Sequence, residues 1–264
     1  LSFLRRSFRA FHVVILFLAA SVELIVTRPR TRAERAAWLS RFCNRVLRAM
    51  GVSFSSQGPV PTQGAVISNH LTYLDILLHS ALRPCVFVSK IELRKTPLLG
   101  WMSFMSGTVY VARGAGGSAA KAAEGMAKGF RDRLPVVFFP EGTTGVGDVP
   151  AMPFRSGLIA QTIAADESMV AAFVHYDLSP ADIARGKTAR NSIHWGPEGL
   201  LTNIWKFLDL RGVHATVRFA DRPIAFTPES IENRKVAAEQ ARQAVIELSN
   251  TASSPANPSP SPAP

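Results

Sequence analysis

From Phe11 to Val26 the chain is an almost unbroken apolar run, interrupted only by His12, Ser21 and Glu23. Such a segment must find lipid or a protein core, because exposing that much hydrocarbon to water is too costly. As a helix its 16 residues reach about 24 Å, short of the roughly 30 Å of a bilayer's hydrocarbon. Arginines flank both ends, Arg5, Arg6 and Arg9 before the run and Arg28, Arg30 and Arg32 after it. Of the chain's formal charge of +11, residues 1–50 carry +8, from ten arginines, no lysine and two acids, Glu23 and Glu34. Charge concentrated around the greasiest segment is suited to anionic lipid headgroups. A nucleic-acid-binding domain would spread it over the folded surface, so no nucleic-acid partner is expected. A cleaved signal peptide also starts basic and turns apolar, but no small-x-small cleavage site follows here; an arginine-rich stretch does.

That stretch, from Ala33 to Met50, repeats Leu39, Phe42, Cys43, Val46, Leu47 and Met50 at helical spacing, with Arg41, Arg45 and Arg48 between them. Two readings fit: a helix lying apolar face down in the membrane interface, or an ordinary helix packed on the domain behind it. Together with the preceding run, the first makes residues 1–50 a two-helix membrane-binding motif.

Short apolar strands then alternate with helical patterns. Strands are expected at Ala65–Ser68, Cys85–Ser89, Thr108–Ala112, Val136–Phe139, Val170–Val174 and Ala215–Phe219, and helices at Ala119–Phe130 and Phe154–Ala165. The alternation predicts an α/β fold over residues 51–250, a mixed β-sheet layered with helices. Thr227-Pro228-Glu229 reads as a helix start, with Ala237, Ala241, Val245 and Leu248 on one buried stripe. Residues 251–264 hold no charge and nothing to bury, and are expected to be a disordered tail. Two cysteines, Cys43 and Cys85, make neither a disulfide framework nor a zinc motif. The histidines outside the motif below (His12, His79, His175, His194 and His214) lack metal-ligand spacing, so no metal site is expected.

Three stretches carry chemistry. In Ser68-Asn69-His70-Leu71-Thr72-Tyr73-Leu74-Asp75, His70 and Asp75 are five apart, too far around one helix to meet. They meet if His70 sits in a strand-to-helix loop and Asp75 in the first helical turn, where a carboxylate fixes the imidazole tautomer and leaves the other nitrogen as a general base. Alone, the pair is equally a helix cap. In Val136 to Gly145 an apolar strand runs into Pro140-Glu141-Gly142-Thr143, placing Glu141 at the strand's carboxyl end, where open α/β sheets bind ligands. In Gly107 to Arg113 a strand ends in a guanidinium able to hold phosphate.

Taken together, NHxxxxD, a strand ending in arginine, and FPEGT resemble the glycerolipid acyltransferase family, the 1-acylglycerol-3-phosphate acyltransferases and their relatives. Ser89-Lys90-Ile91-Glu92-Leu93 is similar to the family's intervening segment. The resemblance spans about Val66 to Val174 and implies a membrane enzyme with its site on the cytoplasmic side. It also implies an acyl-CoA or acyl carrier protein co-substrate, no other cofactor, and a lysolipid hydroxyl as acceptor. His70 would act as base and Asp75 as its orienting acid; Glu141, Gly142 and Thr143 would position the acceptor, with Arg113 and Lys90 on its phosphate. There are two departures: Thr144 stands where the family often has arginine, and Val170–Val174 lacks the usual proline. Both fall on the acceptor side. The expected acceptor is 1-acyl-sn-glycerol-3-phosphate, giving phosphatidic acid, with a lyso-ornithine or other amino-acid lysolipid as the alternative. A nicotinamide site at Gly114-Ala115-Gly116-Gly117-Ser118-Ala119 is a weaker rival, since two strands precede it and Glu141 lies beyond the usual distance for a ribose-binding acid. A membrane-binding module without activity would leave the three motifs unexplained.

Overall fold

A computed structural model describes residues 2–95, 99–105, 107–111, 118–147, 149–196 and 198–250. Arg113, most of the glycine-rich stretch 114–119, and the tail 251–264 lie outside them.

Two helices lead, α1 (Ser2–Thr27) and α2 (Arg32–Ala49), followed by β1 (Val52–Gln57), β2 (Ala65–Ser68), α3 (Leu74–Leu82) and β3 (Val86–Lys90). A 3₁₀ turn (Ile91–Lys95), α4 (Leu99–Met105), β4 (Val109–Val111), α5 (Ser118–Arg131), β5 (Val136–Phe138), α6 (Ser156–Ala164) and β6 (Met169–Leu178) come next. Three short helices, α7 (Pro180–Ile183), α8 (Ala189–Ser192) and α9 (Leu200–Phe207), lead to β7 (Val213–Phe219), α10 (Pro228–Glu232) and α11 (Arg234–Asn250).

The strands form one seven-stranded sheet in the order β1-β7-β6-β2-β5-β3-β4. All pairs are parallel except β6 with β7. All six expected strands form, with ends moved by a few residues. β1 was not anticipated: in Val-Ser-Phe-Ser-Ser-Gln only Val52 is buried, so this edge strand lacks the apolar run that marks the others. The helix expected to run unbroken from Pro228 is interrupted at extended Asn233, after which Ala237, Ala241 and Val245 are buried as their spacing implied.

The N-terminal pair departs from the interfacial reading. The apolar stripe of α2 is not free for lipid: Trp38, Leu39, Phe42, Cys43, Val46, Leu47 and Met50 are all buried in the domain core. A capping box starts the helix, with Thr31 Oγ1 accepting from Glu34 N–H and Glu34 Oε2 from Thr31 N–H. The exposed apolar surface belongs to α1. Its 26 residues are long and apolar enough to cross a membrane by length and composition. One face (Val13, Leu16, Phe17, Ala20, Leu24) packs on the core, with Phe17 edge-on to Phe42 at 4.8 Å. The other leaves Phe3, Leu4, Phe8, Phe11, Val14, Ile15, Leu18, Val22, Ile25 and Val26 exposed.

Both ends of α1 are tied to the domain. Glu23, the acid inside the apolar run, bridges Arg41 at 3.1 Å and Arg45 at 3.2 Å on α2. At the start, Arg5 and Arg6 pair with Asp209, which also meets Ser2, Arg185 and Lys187. Burial opposes ionisation of Asp209, yet these partners outweigh it and hold the carboxyl well below its usual range.

Because α2 is a core helix, Phe42→Ala is expected to cost about 3–5 kcal/mol of stability, whereas exposed Arg48→Ala should stay within about 0.5 kcal/mol. Thermal unfolding in mild detergent measures both; an unchanged midpoint for the phenylalanine variant would contradict this packing.

Candidate active site

The site lies at the carboxyl ends of β2 and β5, neighbours at the centre of the sheet. Their parallel register pairs Ala65 with Val136 and Ile67 with Phe138. Continued three residues past Ile67, it brings His70 beside Glu141, although nothing in the linear order joins them.

Beyond the end of β2, Asn69 takes over the role of a strand residue. Its side-chain amide donates to the Val174 carbonyl at 3.0 Å and accepts from the Val174 N–H at 2.7 Å. This pair of hydrogen bonds pins the loop to β6. His70 then stacks its ring on Phe139, the two planes nearly parallel with ring centres 4.1 Å apart. Its Nδ1 donates to Asp75 Oδ2 at 2.8 Å. A carboxylate only accepts, so the contact sets the tautomer and leaves Nε2 available to a ligand.

Asp75 is fully buried in the first turn of α3. Oδ2 also accepts from the N–H groups of Leu71 at 2.7 Å and Thr72 at 2.9 Å, and Oδ1 from the Tyr176 hydroxyl at 2.5 Å. These bonds account for the four residues between histidine and acid: the interval lets the carboxylate cap the turn that carries the ring.

The second motif clamps the histidine backbone. Glu141 Oε1 accepts from His70 N–H at 3.2 Å, and Gly145 N–H donates to His70 carbonyl at 2.7 Å. Gly142 makes the bend with φ +69°, and a Cβ there would come within 2.6 Å of Arg155 Nε. Glu141 is buried, and loss of solvent, more than its neighbour Asp75, pushes its carboxyl up to about 8. His79, one turn beyond Asp75, is likewise buried and is pushed down to about 4 by burial.

His70 opens onto a cavity of about 600 Å³ whose lining is largely apolar. Gly142, Thr143, Ser89, Glu92, Arg155 and Trp195 lie on its walls. The carboxyl of Glu141 instead faces the backbone of His70. Lys90 closes β3, with its side chain outside what is described, and β4 ends at Val111, two residues before Arg113. Sequence reasoning missed Tyr176, Arg155 and the site role of Trp195, since none belongs to a motif. Trp195 N–H donates to Leu71 carbonyl at 3.3 Å, while Thr144 Oγ1 donates to Trp195 carbonyl at 2.8 Å. Of the nearby aromatics, Trp205 is partly exposed against Phe3, and Phe207 is buried.

A histidine fixed by a buried carboxylate at the mouth of an apolar cleft suits proton abstraction from a hydroxyl. The family model described as Acyltransferase matches residues 32–175, and the chain belongs to that family and is an acyltransferase. The lyso-ornithine lipid O-acyltransferase of Pseudomonas aeruginosa is 31% identical over 83% of this chain and 79% of its own length. The 1-acyl-sn-glycerol-3-phosphate acyltransferase of Neisseria meningitidis is 28% identical over 66% and 67%. The crystal structure of the 1-acyl-sn-glycerophosphate acyltransferase PlsC from Thermotoga maritima shares the fold, with TM-score 0.65 and 18% identity over 96% of this chain and 98% of that one.

The raised Glu141 carboxyl leaves a pH signature. Unfolded, the group titrates near 4.5; folded, near 8. Across that window the native state holds a proton that the unfolded chain has lost, so the contribution of Glu141 to stability falls as pH rises. Relative to Glu141→Gln, the parent should lose on the order of a few kcal/mol between pH 5 and 8. Melting curves of both proteins against pH read the difference directly, and the opposing effect of His79, common to both, cancels.

Proposed function

We propose that this enzyme transfers a fatty acyl group from an acyl thioester, acyl-CoA or acyl carrier protein, to the free hydroxyl of a lysolipid. The observation that carries the reading is the His70–Asp75 contact at the mouth of the apolar cleft. His70 Nε2 takes the hydroxyl proton while the oxygen attacks the thioester carbonyl. The tetrahedral adduct collapses, the carbon–sulfur bond breaks, and the proton passes from the imidazolium to the departing thiolate. The products are an ester and a free thiol, with no acyl-enzyme needed. Asp75 holds the ring, Glu141 holds its backbone, and Gly142 and Thr143 line the space for the acceptor. Arg113 and Lys90 are carried over from the family pattern as phosphate ligands.

Two acceptors suit this chemistry. The phosphate pattern supports 1-acyl-sn-glycerol-3-phosphate. A lyso-ornithine lipid is favoured by Thr144, which brings a neutral hydroxyl bound to Trp195 where the family often has a cation. It is favoured too by the broader match to the Pseudomonas enzyme than to the Neisseria one. For location, α1 is tied to the domain at both ends and shows its apolar face along its length, which supports embedding in one leaflet; a cleft on the cytoplasmic side is carried over from the family pattern.

His70→Ala should lower transfer by about 10²–10⁴-fold while vesicle flotation is unchanged; substantial activity in the purified variant would refute the base assignment. With one thioester donor and each lysolipid in turn, mass spectrometry of products should show the diacylated lipid, and faster turnover of the lyso-ornithine acceptor. Release of free fatty acid alone would make the enzyme a hydrolase, and preference for the glycerol phosphate would return the acceptor to the phosphate pattern.

A further inference from the structure

The donors around Asp75 are unevenly shared. Three of them, the His70 ring and the N–H groups of Leu71 and Thr72, converge on Oδ2. The other oxygen, Oδ1, receives Tyr176. The terminal torsion of an aspartate is soft and roughly two-fold, so gathering donors on one oxygen does not by itself fix the carboxylate plane. A donor on the other oxygen does.

Tyr176 is placed to provide it. β6 is hydrogen-bonded to β2 only as far as Ala172 and then runs on beside β7 to Leu178. Past the end of β2, its free side faces the loop that carries His70. Asn69 grips the backbone of Val174 there, and Tyr176, two residues on, presents its side chain to the same face. The phenol is almost wholly buried. A phenylalanine would fill the same volume, so the hydroxyl is present for its hydrogen bond. Residue 176 lies immediately beyond the 32–175 match to the family model.

We propose that Tyr176 is a positioning residue of the acyl transfer, acting through Asp75 to hold the His70 ring in its productive orientation. The inference rests on His70 being the base. Burial, then the Asp75 charge, raises the Tyr176 hydroxyl far above its ordinary range, so it remains a donor throughout the working pH range. The other titratable groups around the pair are His79 on α3, Tyr73 at the start of α3 and Glu141 behind the His70 backbone.

The test compares the parent enzyme with Tyr176→Phe, Asp75→Ala, the double variant and His70→Ala, using one thioester donor and one lysolipid. Tyr176→Phe should lower kcat about 10- to 100-fold with both KM values within about two-fold of the parent. The acid limb of its pH–rate profile should move to higher pH, because a carboxylate relieved of the phenol presents more negative charge to the ring. On the Asp75→Ala background the same substitution should have no further effect. A full additional loss there, an unmoved acid limb, or an undiminished kcat would each overturn the proposal. A fluorinated tyrosine at 176 keeps the ring and strengthens the donor, and should move the acid limb to lower pH, which keeps the question decidable if the phenylalanine variant does not fold. Activity surviving in His70→Ala would refute the base assignment, separately from any result at Tyr176.

Discussion

A carboxylate stripped of water inside a protein is tolerated when hydrogen bonds and charge replace what hydration supplied, and Asp75 is the residue on which this structure spends that compensation. It receives an imidazole, two backbone N–H groups and a phenol. The donors come from the loop after β2 and from the far end of β6, while Asp75 itself sits in the first turn of α3. The same interaction that caps a helix therefore orients the His70 ring and ties three elements together, so the local geometry is over-determined.

Around that centre the second motif works mainly from behind. Proline–glutamate–glycine bends the chain so that Glu141 and Gly145 hold the two polar groups of the His70 backbone, while Phe139 stacks on its ring. A histidine gripped at ring face, ring nitrogen and main chain loses little freedom when substrate arrives. Glu141 serves in this setting as a largely neutral carboxyl, which avoids setting a second full negative charge close to Asp75.

The N-terminal helices differ in what they cover: α2 packs into the core, while α1 leaves one apolar face exposed. The arginines first read as headgroup contacts are partly committed inside the protein: Arg41 and Arg45 neutralise the acid within the apolar run, and Arg5 and Arg6 anchor the start of α1 to Asp209. Periodicity showed that α2 had an apolar face, but a face suited to lipid and a face suited to a core have the same composition. What covers it depends on where the chain places its neighbours, and here they are α3 and the packed face of α1.

By itself the sequence determined the alternation of strands and helices, the long apolar segment near the N-terminus, and the motif residues at strand ends, because propensity, periodicity and loop chemistry are local properties. It also contained the His70–Asp75 pairing, since five residues of loop and helical turn are enough to close it. Only the tertiary structure decided that β2 and β5 are neighbours in a register that seats Glu141 behind His70, and that Tyr176 reaches Asp75 from a strand 101 residues away. Strand order and register arise from contacts distant along the chain, and a single tyrosine in an ordinary strand carries no local mark of the carboxylate it will meet.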